Sequence, residues 1–84
     1  MKYLANIDVM PLKALLDPQG KAVTSGLKNL GFKELENVRV GKHITMEVEA
    51  SSESEAQRLV EKACKELLVN QVMESYEYKL ETLN

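Results

Sequence analysis

His43 is the single histidine of this 84-residue chain. An imidazole can serve as a general base, but the sequence places no nucleophile beside it. Lying next to an expected turn, it reads as a solvent-exposed side chain. Cys64 is the single cysteine, and it falls on a helical apolar stripe with Val60 and Leu67. There a thiol packs as a small hydrophobe, whereas a reactive thiolate needs exposure and a nearby cation. One cysteine also excludes an internal disulfide and any multi-cysteine metal site. Glu47 and Glu49 share a strand face and Glu53 and Glu55 begin a helix, so solubility and the helix dipole account for them without paired-carboxylate catalysis. Asp17-Pro18-Gln19-Gly20-Lys21 lacks the glycine spacing and the Lys-Ser/Thr ending of a phosphate loop. It reads as a helix cap, which leaves Gln19 and Gly20 unexplained. Arg39 and Lys42 bring two positive charges near one expected hairpin tip, suited either to a solvated turn or to an acidic partner surface or phosphate.

Composition narrows the classes further. The formal charge of −2 gives no electrostatic reason to bind nucleic acid or anionic lipid. Aromatic residues are limited to Tyr3, Phe32, Tyr76 and Tyr78, so the core is expected to be aliphatic. The length fits a single domain over 1–84. A chain this short buries only roughly 60–65% of its unfolded surface and is often completed by oligomerisation. Neither a secretory pattern nor a stretch of membrane-spanning length stands out, and the expected location is the cytoplasm.

The elements that must position these residues follow from periodicity. Lys2 to Met10 alternates, with Tyr3, Ala5, Ile7 and Val9 on one side, and Pro11 ends the ladder by removing a donor. Leu12 to Leu16 forms an apolar connection. Asp17 and Pro18 open a helix, since aspartate accepts from the first free amides and proline suits the first helical position. Val23, Leu27 and Leu30 make its apolar stripe and Gly31 its left-handed stop. Gly26 would be explained by close approach to the sheet. Val38-Arg39-Val40-Gly41-Lys42-His43-Ile44 reads as strand, tight reversal at Gly41 and returning strand. A three-residue loop is favoured because it sets Val40 against Ile44 and Val38 against Met46 on one face. Ser52 with Glu55 fits a capping box for a helix over 53–69, with Ala56, Leu59, Val60, Ala63, Cys64, Leu67 and Leu68 apolar and Asn70 closing it in the left-handed region. A last strand spans Val72 to Leu80.

Strand-helix-strand twice over makes an α+β, ferredoxin-like two-layer sandwich (βαββαβ), an antiparallel sheet with two helices on one face. Its open face would carry Asn6, Asp8, Thr45 and Glu47 with Leu4 and Met10, wetted or paired with another copy. The layout also hosts RNA-recognition domains, but those stack bases on aromatics of the two central strands, which here hold Tyr3 alone. It hosts ligand-binding regulatory domains too, without any specific pocket signature in this chain.

Leu16-Asp17-Pro18-Gln19-Gly20, Leu30-Gly31-Phe32, Val38-Arg39-Val40-Gly41-Lys42, Cys64-x-x-Leu67-Leu68-Val69-Asn70 and Val72-Met73-Glu74-x-Tyr76 together resemble the PurS family, the small subunit of phosphoribosylformylglycinamidine (FGAM) synthase. The likeness runs end to end, with Gln71 departing from the proline that many relatives carry. It implies a PurS-like fold and a non-catalytic role in de novo purine biosynthesis, where formylglycinamide ribonucleotide, glutamine and ATP yield FGAM and glutamate. The complex is a ligase of the glutamine amidotransferase type, with no active site on this chain. The chain would bridge a glutaminase (PurQ-type) and a synthetase (PurL-type) subunit and assist ammonia transfer, itself forming a dimer or tetramer. No cofactor is expected on it, while ATP and magnesium belong on the synthetase. The partner-contact candidates carried over are Asp17, Gln19, Gly20, Arg39, Gly41, Lys42, Asn70, Glu74 and Tyr76. The alternative is a free-standing dimeric regulatory domain that binds a small metabolite.

Overall fold

The computed structural model describes residues 1–13 and 17–83; of the apolar connection expected over Leu12 to Leu16, residues 14–16 lie outside that range. Among the described residues the elements run in the order β1 (Lys2–Pro11), α1 (Pro18–Asn29), β2 (Lys42–Glu49), α2 (Glu53–Ala63), a π-helical turn (Cys64–Leu68) and β3 (Glu74–Leu83). They form an α+β arrangement of an antiparallel sheet and two helices, as the alternation and the caps require. The sheet order is β2-β1-β3. β1 is central because it alone is apolar at every position of one face: Tyr3, Ala5, Ile7 and Val9 are all buried. Both neighbours run antiparallel to it, with Ile7 opposite Ile44 on one side and Tyr78 on the other. β2 and β3 are therefore parallel to each other, and α2 carries the chain across the sheet between them.

α2 starts as its sequence dictates. The Ser52 hydroxyl accepts from the Glu55 amide at 3.2 Å, and Ala56 and Val60 are wholly buried with Cys64 against the covered face. The helix then widens into a π-helical turn over Cys64–Leu68, where the Val69 amide donates to the Cys64 carbonyl at 3.0 Å. That extra residue per turn breaks the expected stripe. Val69 takes the buried place, and Leu67, expected on the apolar face, is 85% exposed. Asn70 does not take the left-handed region; Asn37 is the one non-glycine residue there among those described. Its side-chain oxygen instead accepts from the Val72 and Met73 amides at 3.0 and 3.3 Å, an Asx turn that delays β3 to Glu74 and leaves Val72 outside the strand.

The central hairpin does not form. Residues 38–41 join no ladder, so among the described residues the sheet has three strands instead of four. The chain runs straight through Gly41, with Lys42 opposite Val9, and no register choice at a turn arises. Gly41 is required for another reason: a Cβ there would sit 2.3 Å from the Val9 carbonyl oxygen and 2.2 Å from the Met10 sulfur. His43 accordingly lies on the open face of β2, exposed, with its Nδ1 2.5 Å from Asp8 Oδ1.

α1 with the return segment forms a lobe beyond the end of the sheet and does not lie on it. The chain is long and thin, 52 × 28 × 14 Å, with a radius of gyration of 16.5 Å where a compact chain of this length would have about 12 Å. The stripe expected to be buried is therefore open: Val23 is 42% and Leu30 76% exposed. Gly26 has no atom within 4 Å of a Cβ built on it, so close approach to the sheet does not explain it. Gly31, at φ +98°, ends the helix as expected. Among the described residues, no helix is long and apolar enough to cross a membrane.

Candidate functional site

Asp17 ties α1 to the return segment of the lobe. One carboxylate oxygen accepts from the Gly20 amide at 3.0 Å, capping α1, and the other accepts from the Val40 amide at 3.1 Å. These two backbone amides, with the Arg39 guanidinium next, hold the Asp17 carboxyl below its ordinary value. Arg39 Nε stands 3.8 Å from Asp17 Oδ2, and its Nη2 donates to the Pro11 carbonyl at the end of β1. Thr24 completes the clamp, donating to the Gly20 carbonyl at 2.9 Å and accepting from the Val38 amide at 3.1 Å. The strand-like sequence over 38–40 thus places its Val38 and Val40 amides on the side chains of Thr24 and the α1 cap Asp17, in place of a sheet partner. Gly20, unexplained by capping, is buried because the Val38 carbonyl oxygen would lie 2.1 Å from a Cβ there.

Beside this clamp opens a cleft of about 550 Å³, lined by Pro11, Asp17, Pro18, Gln19, Val40, Lys42, Asn70, Met73 and Glu74. Its far wall is the Asx turn, where Glu74 Oε1 accepts from the Asn70 amide at 2.9 Å. Lys42 Nζ stands 3.8 Å from Glu74 Oε2, a loose pair across the opening. Asp17 and Glu74 are offset by Lys42 and Arg39, so the cleft carries no strong field. Among its described lining residues there is no serine, cysteine, histidine or tyrosine. Such an arrangement can recognise a polar surface through amides and one ammonium.

Five of the nine candidates drawn from the sequence therefore line one cleft: Asp17, Gln19, Lys42, Asn70 and Glu74. Gly20, Arg39 and Gly41 adjoin lining residues in sequence and do not themselves line it. Tyr76 lies apart, half-buried on the covered face of β3 opposite Val9, its ring 6.4 Å from that of Tyr78. Pro11, Pro18, Val40 and Met73 also line the cleft and were not among the candidates; the ladder-ending proline was the signal for the first, and adjacency to Glu74 for the last. Elsewhere the titratable groups are structural. Tyr78 donates to Glu61 Oε2 at 2.6 Å, and that bond, with burial, pushes its phenol up to about 12. Burial pushes the Cys64 thiol up as well, the reverse of what a nucleophile needs. Among the described residues, no three of His, Cys, Asp and Glu are grouped to hold a metal ion.

Residues 4–82 match the family described as PurS: Phosphoribosylformylglycinamidine (FGAM) synthase. The chain is 38% identical over 81 residues to the phosphoribosylformylglycinamidine synthase subunit PurS of a Synechocystis species, covering 96% of this chain and 81% of that one. Among solved structures, a chain from the structure of PurLQS from Thermotoga maritima superposes with a TM-score of 0.88 at 36% identity, covering 96% of this chain and 99% of that one. Methanocaldococcus jannaschii PurS, one of the subunits of formylglycinamide ribonucleotide amidotransferase, superposes with a TM-score of 0.85 at 32% identity, covering 98% and 99%.

Proposed function

The chain belongs to the PurS family of phosphoribosylformylglycinamidine synthase subunits, and we propose that it is the piece that docks a glutaminase subunit onto an ATP-dependent synthetase subunit. Ammonia released by the first then reaches the second without escaping into water. ATP and magnesium sit on the synthetase, and the chain works in the cytoplasm, associating with itself as well as with both larger subunits. One observation carries this reading: candidates separated by more than fifty positions in sequence, from Asp17 to Glu74, converge on a single cleft. A cleft built from distant parts of the chain is what a positioning subunit needs.

The clamp supplies the rigidity that such docking requires. Asp17 holds Arg39, whose guanidinium bonds the Pro11 carbonyl at the end of β1 and so joins the lobe to the sheet, and a partner seated in the cleft meets Gln19, Lys42 and Asn70 already in place. Co-elution of the three subunits on a sizing column tests the assignment. The parent chain is expected to carry the glutaminase and synthetase into one peak. Lys42→Glu and Asn70→Ala, both at exposed positions, are expected to lose at least one of them while keeping the parent's circular dichroism. Co-elution unchanged in both variants would remove the cleft from the interface.

The cleft's volume also falls in the range that holds small metabolites, which keeps the regulatory-domain reading in view. Calorimetry of the chain alone with glutamine, ATP and ADP separates the two: heat of binding at micromolar concentrations favours the regulator, and none favours the docking role.

A further inference from the structure

The hydrogen-bonding groups around the cleft divide into an engaged set and an open one. The acceptors are engaged. The two Asp17 oxygens take the Gly20 and Val40 amides at 3.0 and 3.1 Å, and Glu74 Oε1 takes the Asn70 amide at 2.9 Å. Asn70 Oδ1 takes the Val72 and Met73 amides. Two lining carbonyls are occupied in the same way, that of Pro11 by Arg39 and that of Met73 by the Leu12 amide at 2.9 Å. The donors are the open set. Gln19 in the first turn of α1, Lys42 at the start of β2 and Asn70 in the Asx turn all line the cleft, and all three are exposed. The Lys42 ammonium stands 3.8 Å from Glu74 Oε2, too far for a hydrogen bond. Asn70 serves the turn through its side-chain oxygen, which leaves its NH2 group for another acceptor. Three donors from three separate elements thus share one opening.

We infer that the cleft takes a carboxylate side chain, an aspartate or glutamate on a surface loop of one of the two larger subunits. The inference rests on the docking role proposed above and names the chemistry that the docked partner presents there. A carboxylate accepts only, with room for about four hydrogen bonds on its two oxygens, and so matches what the cleft has open. A cationic side chain would bring donors to donors, while the carboxylates of Asp17 and Glu74 are half-buried and already bonded. Charge narrows the choice further. Lys42 is the one cation among the described lining residues, and Asp17 and Glu74 are its neighbours there. One ammonium in that company matches a single negative charge, and a doubly charged phosphate would be left partly uncompensated. On binding, the loose Lys42–Glu74 pair gives way to a direct, charge-assisted bond to the incoming oxygen. The volume of about 550 Å³ exceeds what one side chain fills, so part of the loop that carries the carboxylate enters with it.

Exchanging donor for acceptor at constant size gives a test with a sign. Gln19→Glu and Asn70→Asp each replace an NH2 group by a carboxylate oxygen, and biolayer interferometry gives the full chain's dissociation constants for the glutaminase and for the synthetase. Neither change attacks the fold: an acidic residue is favoured in a first helical turn, and aspartate keeps the oxygen that closes the Asx turn. Thermal melts verify this, and if one variant melts well below the parent the other decides. Gln57→Glu, the same exchange at an exposed position of α2, controls for net charge. Both cleft variants are expected to bind one of the subunits at least ~10-fold more weakly than the parent, and Gln57→Glu to bind as the parent does. Free glutamate at millimolar concentration should leave the parent's affinity unchanged, because the carboxylate then comes without its loop. Unchanged or tighter binding in a folded cleft variant, equal weakening in Gln57→Glu, or displacement of the subunit by free glutamate would each overturn the inference and leave the docking role standing. A parent chain that binds neither subunit would remove the docking role itself, and the inference with it.

Discussion

Replacing Gly20 with alanine examines the clamp at its tightest point. On an exposed helix, alanine gains up to about 1 kcal/mol over glycine, and less in a first turn. Here the new Cβ would stand 2.1 Å from the Val38 carbonyl oxygen and 2.6 Å from Asp17 Oδ2. To reach ordinary contact at 3.4 Å the Val38 carbonyl must retreat by about 1.3 Å, the difference between those two separations. It cannot do so alone, because the amides of Val38 and Val40 are bonded to Thr24 and Asp17 on the same helix, each at 3.1 Å. Overpacking typically costs about 1–3 kcal/mol, and a weakened backbone bond about 1 more. Set against the helix gain, a net loss of about 2 kcal/mol results, which for a chain of this size lowers Tm by roughly 8–16 °C. Thermal melts followed by circular dichroism, at one fixed protomer concentration, measure it. An alanine variant that melts at or above the parent would refute the close approach, and with it the claim that α1 is clamped to the return segment.

Three further outcomes follow from the titratable groups. Asp17 has its carboxyl held down in the folded chain, so its contribution is complete above the ordinary value of 3.8 and is lost as pH falls through the lower, folded value; Asp17→Asn should flatten the acid limb of the stability profile. Tyr78 behaves oppositely for an acid. Its phenol is raised to about 12, so its contribution is complete below about 10 and disappears as pH climbs between those values. Tyr78→Phe should cost about 1 kcal/mol at neutral pH, modest because Glu61 is solvated, and should remove the alkaline loss in urea titrations at pH 8 and 11. Cys64 is wholly buried with its thiol raised, so a thiol reagent such as dithionitrobenzoate should label the native chain at the rate of unfolding and the urea-unfolded chain at once; rapid labelling of the native chain would contradict its place in the core.

What the sequence disclosed and what it withheld divide along local and non-local lines. The alternation of Tyr3, Ala5, Ile7 and Val9, the Asp17-Pro18 cap and the Ser52–Glu55 cap each depend on neighbours a few residues away, and each appears as read. The segment 38–40 has every local mark of a strand, yet its amides go to Asp17 and Thr24, over twenty and fourteen positions earlier; no periodicity reports such a pairing. The stripe of α1 was legible as apolar, but its destination was not, because periodicity identifies a face to be covered and says nothing of which chain covers it. The π-helical turn escaped notice for a related reason, since Leu67 and Val69 are both apolar and only the backbone spacing decides which is buried. At the site, Gln19, Asn70 and Glu74 were carried over from the family resemblance, while the place of Met73 and Val40 in the cleft emerged only from the way the Asx turn and the clamp face each other.

The central claim is that this chain joins two activities and performs neither. It is tested most directly by assembling the synthase from its separate glutaminase and synthetase subunits, with and without the chain, and following FGAM formation from glutamine or from ammonium chloride. With ammonia the rate should be the same in both mixtures, and with glutamine it should appear only when the chain is present. Equal glutamine-dependent rates without it, or product formed from ammonia only when it is added, would contradict the account.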